Sequence, residues 1–382
     1  MSCMSINQEK ALYVHIPFCK KKCDYCDFPS YSGKEGLMVE YTKALCNELK
    51  EYKDFVFKTI FIGGGTPTYL SYECILMLKE AFEDIHIAKD GEFTVEGNPG
   101  TFTIEKLEEF KKMGVNRLSI GLQAFQNELL KGIGRIHSEE EFMKSYKMAK
   151  EVGFNNINVD LMFGLPGQTM EQWKESLKKA VDLKINHISA YSLIVEEGTP
   201  FHRREKNGLL DTPCEEVERK MYEYTKEYLE KVGYNQYEIS NFSREGMECK
   251  HNLVYWNLED YIGCGSGAHS FIDGKRIQNT GNPEEYIKLV KNNGTGTVDS
   301  FKNSLEDTIE EFMFMGLRKI EGINKLNFKR RFEKDIYSIY GDIISKHVNN
   351  KLIEDDGENI KLTPQGIQLS NMVMSDFILD KA

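Results

Sequence analysis

The chain has 382 residues, enough for two to three domains at roughly 150 residues each and for a large buried core. Lysine plus arginine number 49 against 60 aspartates and glutamates, and this net charge of −11 argues against a general nucleic-acid binder. Hydrophobic residues at 40 % and aromatics at 11 % exclude a disordered chain, and no run approaches the roughly 18 apolar residues of a membrane span.

A single supersecondary rhythm recurs from residue 12 onward: a short apolar run, a glycine or polar turn, then an amphipathic stretch. The predicted strands are 12–16, 59–62, 92–95, 117–120, 157–162 and 187–193. Predicted helices lie between them at about 36–53, 71–83, 103–113, 138–152 and 170–183. In the last helix Trp173, Leu177, Ala180, Val181 and Lys184 follow helical spacing. Alternating strands and helices imply a parallel sheet, and runs such as NVDLMF suit strands covered on both faces. A complete barrel needs eight such units and about 250 residues. Six units imply an α/β fold that is an incomplete (β/α)6 TIM-like barrel or an open parallel sheet. In either case chemistry belongs at the C-terminal ends of the strands. The unusual residues fall there: the cysteines of 19–26 after the first strand, GGGTP after the second, EGNP after the third, Gln123 after the fourth and GLPGQ after the fifth.

After residue 200 the pattern changes. Residues 214–232 read as a helix, followed by the Gly- and aromatic-rich HNLVYWNLEDYIGCGSGAHSFI. From about 305 to 382 the chain is helical and charged. It closes on an expected hairpin turning at Asp356-Gly357 and a helix started near Thr363-Pro364. The organisation that follows is a partial barrel over 1–235, a connecting region over 236–304, and a mainly helical, winged-helix-like domain over 305–382. On so acidic a chain such a domain is expected to pack or to dock a partner, not to bind DNA.

Nine cysteines, with an opening stretch that lacks the apolar core of a signal peptide, imply a cytoplasmic protein and no disulfide framework. Three of them cluster: Cys19, Cys23 and Cys26 in CKKKCDYC. A structural zinc site needs four ligands, which His15, Cys249 or Cys264 would have to complete. A [4Fe–4S] cluster held by three thiolates would instead leave one iron open to a ligand.

The spacing C-x3-C-x2-C, with Tyr25 just before the last cysteine, resembles the radical S-adenosylmethionine superfamily. YVHIPFCKKKCDYCDF, FIGGGTPTYL, TVEGNP, RLSIGLQAF, GRIH and NVDLMFGLPGQT together resemble its oxygen-independent coproporphyrinogen oxidase group, over about 12–170. That resemblance implies that Cys19, Cys23 and Cys26 ligate a [4Fe–4S] cluster whose open iron chelates S-adenosylmethionine. It implies that Tyr13 and Tyr25 pack near the cofactor and that the backbone of Gly63, Gly64, Gly65 and Thr66 contacts its methionine end. It also places Glu96, Gln123, Arg135 and Asp160 against S-adenosylmethionine, some of them, in the oxidase relatives, against a second molecule of it. Asp160 lies inside an apolar strand, where an unpaired carboxylate is costly, and Arg135 is its expected partner.

Three features depart from the oxidase. The cysteine it carries two residues past the cluster loop is Phe28 here, its N-terminal extension is shorter here, and this chain carries HNxxYW from His251. That motif resembles the HemW haem-chaperone branch of the group. The likeness implies haem as a further ligand, with His251 on the iron and Tyr255 and Trp256 against the porphyrin. Cys249, Cys264 and His269 remain alternative ligands. The implied partners are S-adenosylmethionine, haem, haem-acceptor proteins that include membrane-associated ones, and an electron donor if S-adenosylmethionine is cleaved. Two other readings stay open: radical decarboxylation of coproporphyrinogen III, and a zinc protein with a partner-docking tail.

Overall fold

The computed structural model describes residues 9–379; Cys3 and the first eight residues, read above for a leader, lie outside them. Six parallel strands form in the predicted order: β1 Lys10–Ile16, β2 Val56–Gly64, β3 His86–Gly97, β4 Arg117–Gln123, β5 Asn156–Phe163 and β6 His187–Ser192. Each pairs with the next, setting Tyr13 beside Phe61, Ile60 beside Phe93, and Asp160 between Gly121 and Ser189.

The crossover helices start where side chains can cap them. Ser71 and Thr103 accept from the backbone three residues on. Ser138 with Glu141, and Thr169 with Gln172, form reciprocal capping boxes. Trp173 is fully buried and donates its indole N–H to Thr225 Oγ1 at 2.9 Å, tying the helix Met170–Asp182 to the helix Glu215–Lys231. Lys184 does not extend the first of these: it lies beyond the helix end with φ 56°.

The sheet is larger than the periodicity shows. Beyond β6 it continues antiparallel through β8 (Asn241–Ser243) to β7 (Asn235–Glu238). On the other side β9 (Tyr261–Cys264) pairs in parallel with β1, followed by antiparallel β10 (His269–Ile272), β11 (Lys275–Asn279) and β12 (Thr297–Lys302). The result is one open twelve-stranded sheet, ordered β12-β11-β10-β9-β1-β2-β3-β4-β5-β6-β8-β7, and not a closed barrel. The region 236–304, expected to be a connector, therefore supplies β8 to β12 and nearly all of β7 to the sheet, with two helices between them. Its strands are short and Gly-interrupted, so they carry no legible alternation.

Strand pleat sorts the side chains. Along β5, Ile157, Val159 and Leu161 are buried under helices, while Asn158, Asp160 and Met162 line a cavity on the concave face. Along β4, Arg117, Ser119 and Gly121 face the same cavity.

The remainder builds a second core around Phe328, Tyr340, Ile344, Ile360 and Phe377. Helices Leu305–Gly316, Lys325–Phe332 and Ile336–Asn349 pack on a three-stranded sheet ordered β13 (Ile323–Asn324), β15 (Asn359–Leu362), β14 (Ile353–Asp355). The β14–β15 hairpin turns at Asp356-Gly357, with Gly357 at φ 99°, and Thr363 caps the helix Pro364–Gln368. This is the helix-and-wing arrangement expected of the C-terminal part. It is joined to the main sheet through Ile239 N–H to the Arg318 carbonyl and Ile320 N–H to the Tyr237 carbonyl, both 3.1 Å.

Candidate cofactor site

The cavity on the concave face has a volume of about 490 Å³, and Cys19, Cys23 and Cys26 all line it. The loop that carries them is pinned at both ends. Cys19 N–H donates to the Tyr31 carbonyl at 2.9 Å, Asp24 N–H to Ile133 at 3.2 Å, and Phe201 N–H to Asp24 at 3.0 Å. No disulfide joins the three thiols. Burial raises the pKa of each, and Arg135 pulls those of Cys19 and Cys23 back toward the thiolate.

Three cysteines from one loop facing one cavity are a donor set of the kind that holds a [4Fe–4S] cluster. Among the described residues no three His, Cys, Asp or Glu side chains converge on one metal ion. Three thiols on a cubane bind three separate irons and need not converge so tightly. The candidates for a fourth zinc ligand are engaged elsewhere. His15 accepts from Tyr13 O–H at Nδ1 and donates from Nε2 to the Pro29 carbonyl, both 2.9 Å. The Cys249 thiol is 3.5 Å from Glu92 Oε1, and Cys264 is wholly buried away from the cavity.

A circuit of hydrogen bonds runs around the cysteine end of the cavity and joins the loops after β1, β2, β3 and β4. Cys19 Sγ lies 3.5 Å from Thr66 Oγ1, Asn98 Nδ2 donates to that same oxygen at 2.8 Å, and Arg135 Nη1 donates to Asn98 Oδ1 at 2.7 Å. Arg135 Nη2 then donates to the Tyr25 hydroxyl at 2.9 Å, which returns to the cysteine loop. The planar fork of arginine makes both contacts at once.

The three glycines serve the protein's own close packing. A Cβ on Gly63 would meet Glu96 Oε2 at 2.7 Å, on Gly64 (φ 111°) the His15 ring at 2.5 Å, and on Gly65 the Phe18 carbonyl at 2.7 Å. Gly64 and Gly65 still face the cavity; Tyr13, Gly63 and Thr66 lie behind its lining. Glu96 accepts from Gly64 N–H at 3.1 Å, and burial together with the neighbouring Asp160 lifts its pKa to about 7. Gln123 sits past a bulge in β4 at φ 74°, a strained conformation that turns its side chain into the cavity, where Oε1 accepts from Tyr191 O–H at 2.9 Å.

One expected pairing is absent. Asp160 does not bond Arg135, whose fork is engaged by Asn98 and Tyr25. Its hydrogen-bond donor is Asn158 Nδ2 at 2.7 Å, two residues back on the same face of β5. Burial raises the Asp160 pKa, and Arg117 and Arg135 oppose that rise from a distance.

The HNxxYW residues form the helix Lys250–Trp256, packed against the concave side of the sheet. His251 is 1 % exposed. Its Nδ1 lies 2.9 Å from Thr59 Oγ1 and its Nε2 3.0 Å from Tyr255 O–H, and its ring stacks on Phe61 at 5.1 Å. Burial lowers its pKa to about 3. Tyr255 packs edge-on against Tyr261, and Arg318 lies 4.5 Å over the Trp256 ring. None of the three lines the cavity. The expected iron ligand is thus a packing histidine in this conformation, with both ring nitrogens engaged. Asn252 and Cys249 are the residues of this segment that reach the cavity. Of the alternative ligands, His269 is exposed at the start of β10 and Cys264 is enclosed.

Sequence reasoning missed Asn98, Tyr191, Arg117 and Asn158. Asn98 was inside the EGNP motif; the others carry no local signal and are placed by pleat alone.

A model of the radical SAM superfamily matches residues 13–180 and one of the HemN C-terminal domain matches 303–369. The chain is 41 % identical to the "Heme chaperone HemW" of Bacillus subtilis over 375 residues, covering 97 % of this chain and 99 % of that one. It is 39 % identical to the protein of the same name from Lactococcus lactis, covering 98 % and 99 %. Coproporphyrinogen III oxidase (HemN) from Escherichia coli, described as a radical SAM enzyme, superposes with a TM-score of 0.85, covering 98 % of this chain and 91 % of that one. At 24 % identity that likeness speaks for the fold alone.

Proposed function

Because the chain belongs to the HemW family of radical S-adenosylmethionine proteins, we propose that it is a haem chaperone, binding haem and passing it to acceptor haem proteins. The observation that carries this reading is the identity of 41 % sustained across 97 % of the chain with a relative named a haem chaperone. Phe28 supports it: where the oxidase pattern has a cysteine, this side chain is 62 % exposed at the cavity. With Ile194, 66 % exposed and also lining the cavity, it offers apolar surface of the kind a porphyrin edge covers.

In this reading Cys19, Cys23 and Cys26 hold a [4Fe–4S] cluster. When bound, the cluster and S-adenosylmethionine supply a low-potential electron beside a sulfonium. The chain's own residues orient and enclose them. Tyr25 and Arg135 fix the cysteine loop, Glu96 accepts from an amine or ribose hydroxyl, and Gln123 and Asp160 line the same face. Haem enters the cavity by its rim, and the HNxxYW helix supports the cavity floor from behind. The expected setting is the cytoplasm, with acceptors that include membrane-associated haem proteins; no helix among the described residues is long and apolar enough to cross a membrane.

The test is haem titration of the anaerobically reconstituted protein with and without S-adenosylmethionine, beside an assay for coproporphyrinogen decarboxylation. Saturable haem binding without turnover supports the chaperone. Formation of protoporphyrinogen would replace it with the oxidase.

A further inference from the structure

Arg117 opens β4, at the end of the strand far from the cysteine loop, and is 2 % exposed while lining the cavity. Its guanidinium makes no hydrogen bond to any of the described residues. Nε is buried without a partner, and the nearest carboxylate, Glu92, stands 4.0 Å away. Glu92 is committed to the start of the HNxxYW helix: Oε2 accepts from Lys250 N–H at 3.1 Å, and Oε1 from His251 N–H at 3.2 Å and from the Cys249 thiol at 3.5 Å. Arg135, the other cavity arginine, is held by Asn98 and Tyr25 at the opposite end. A guanidinium is always charged, so leaving its Nε–H buried without an acceptor is costly. A carboxylate is the group whose geometry it fits.

We propose that the inner end of the cavity is a carboxylate-binding subsite in which Arg117 is the anion receptor. Resting on the haem reading, the carboxylate is a haem propionate. The same chemistry is offered by the carboxylate of an S-adenosylmethionine molecule other than the one facing the cysteines.

The test compares wild type, Arg117→Gln and Arg117→Lys as anaerobically reconstituted holoproteins, with cluster absorbance and thermal melting reporting the fold. Each is titrated with haem, with haem dimethyl ester and with S-adenosylmethionine. If a propionate is the ligand, wild type prefers the free acid to the ester by at least tenfold, Arg117→Gln loses that preference, and Arg117→Lys keeps part of it. If the carboxylate comes from S-adenosylmethionine, Arg117→Gln loses one bound equivalent and haem affinity is unchanged. A folded Arg117→Gln protein that matches wild type in both arms overturns the subsite and leaves the chaperone reading standing. A wild type that binds no haem overturns the chaperone reading and leaves the S-adenosylmethionine arm to decide the subsite. If neither variant folds, wild type alone decides: equal affinity for acid and ester with a single S-adenosylmethionine bound overturns it.

Discussion

Tyr25 and Arg135 share a 2.9 Å hydrogen bond that locks the cysteine loop to the loop after β4. Arg135 holds Asn98 with its other terminal nitrogen, so the position of the three cysteines is set by loops from four different strands and not by the cysteine loop alone. Ligand geometry at a metal site depends on such supporting contacts as much as on the ligands.

Asn98 is the joint of that circuit. Asn98→Ala leaves Arg135 Nη1 without its acceptor, while Nη2 keeps the Tyr25 hydroxyl, and takes the amide donor from Thr66 Oγ1. The expected cost is about 1–3 kcal/mol of stability, because a buried charged donor loses its partner. Denaturant unfolding measures it. The cluster should also be incorporated less fully, read as iron and sulfide per chain after reconstitution. Unchanged stability and full loading would show that the circuit does not support the cysteine loop.

Glu96 makes stability depend on pH in a direction unusual for a carboxylate. Its pKa rises from 4.5 to about 7 on folding, so the folded state holds the proton more tightly than the unfolded chain does. Its stabilising contribution is complete below pH 4.5 and is lost as pH rises through 7. The loss is on the order of 3 kcal/mol. Buried Asp160 is raised as well and acts in the same sense. Glu96→Gln keeps an acceptor for Gly64 N–H and removes the charge. The variant should match wild type near pH 5, exceed it in stability near pH 8, and bind S-adenosylmethionine more weakly. Equal melting temperatures for the two proteins at pH 8 would contradict the raised pKa.

Gly64 is constrained twice, by φ 111° and by the His15 ring 2.5 Å from where a Cβ would stand. Gly64→Ala must strain the backbone and displace a ring held at both nitrogens, at a combined cost of about 3 kcal/mol. Thermal melting of the apoprotein checks this without any cofactor. A loss below about 1 kcal/mol would mean that His15 moves freely.

Much of this is legible in the sequence. The six parallel strands show because strands covered on both faces read as apolar runs, and their C-terminal ends gather the cysteines, GGGTP, EGNP and Gln123 at one mouth. β9–β12 were illegible because glycines at 263, 265, 267 and 274 break the alternation, and pairing with distant β1 is not a local property. The Asp160–Arg135 pairing failed for a reason of pleat. Asn158, two residues away on the same face, reaches Asp160 first, and Arg135 finds a better planar match in Asn98 and Tyr25. Arg117 gives no sequence signal, since an arginine opening a strand looks like a solvated terminus until the sheet curls around it.

His251 separates motif from mechanism. In this conformation it is held by Thr59 and Tyr255 and stacked on Phe61. With a pKa near 3 it is neutral at any working pH, as a haem ligand must be, but neither nitrogen is free. The structure therefore predicts that His251→Ala acts on stability. It removes two hydrogen bonds and a stacked ring from the core, at a cost of about 2–4 kcal/mol. Thr59→Val should lose about 1 kcal/mol by orphaning Nδ1. In the folded fraction of both variants, the haem spectrum of the reconstituted protein should keep its wild-type axial-ligand signature. The opposite pattern, a changed spectrum in His251→Ala with little loss of stability and no change in Thr59→Val, would show that the imidazole leaves the core to reach iron. The HNxxYW helix would then have to move away from β2 when haem binds.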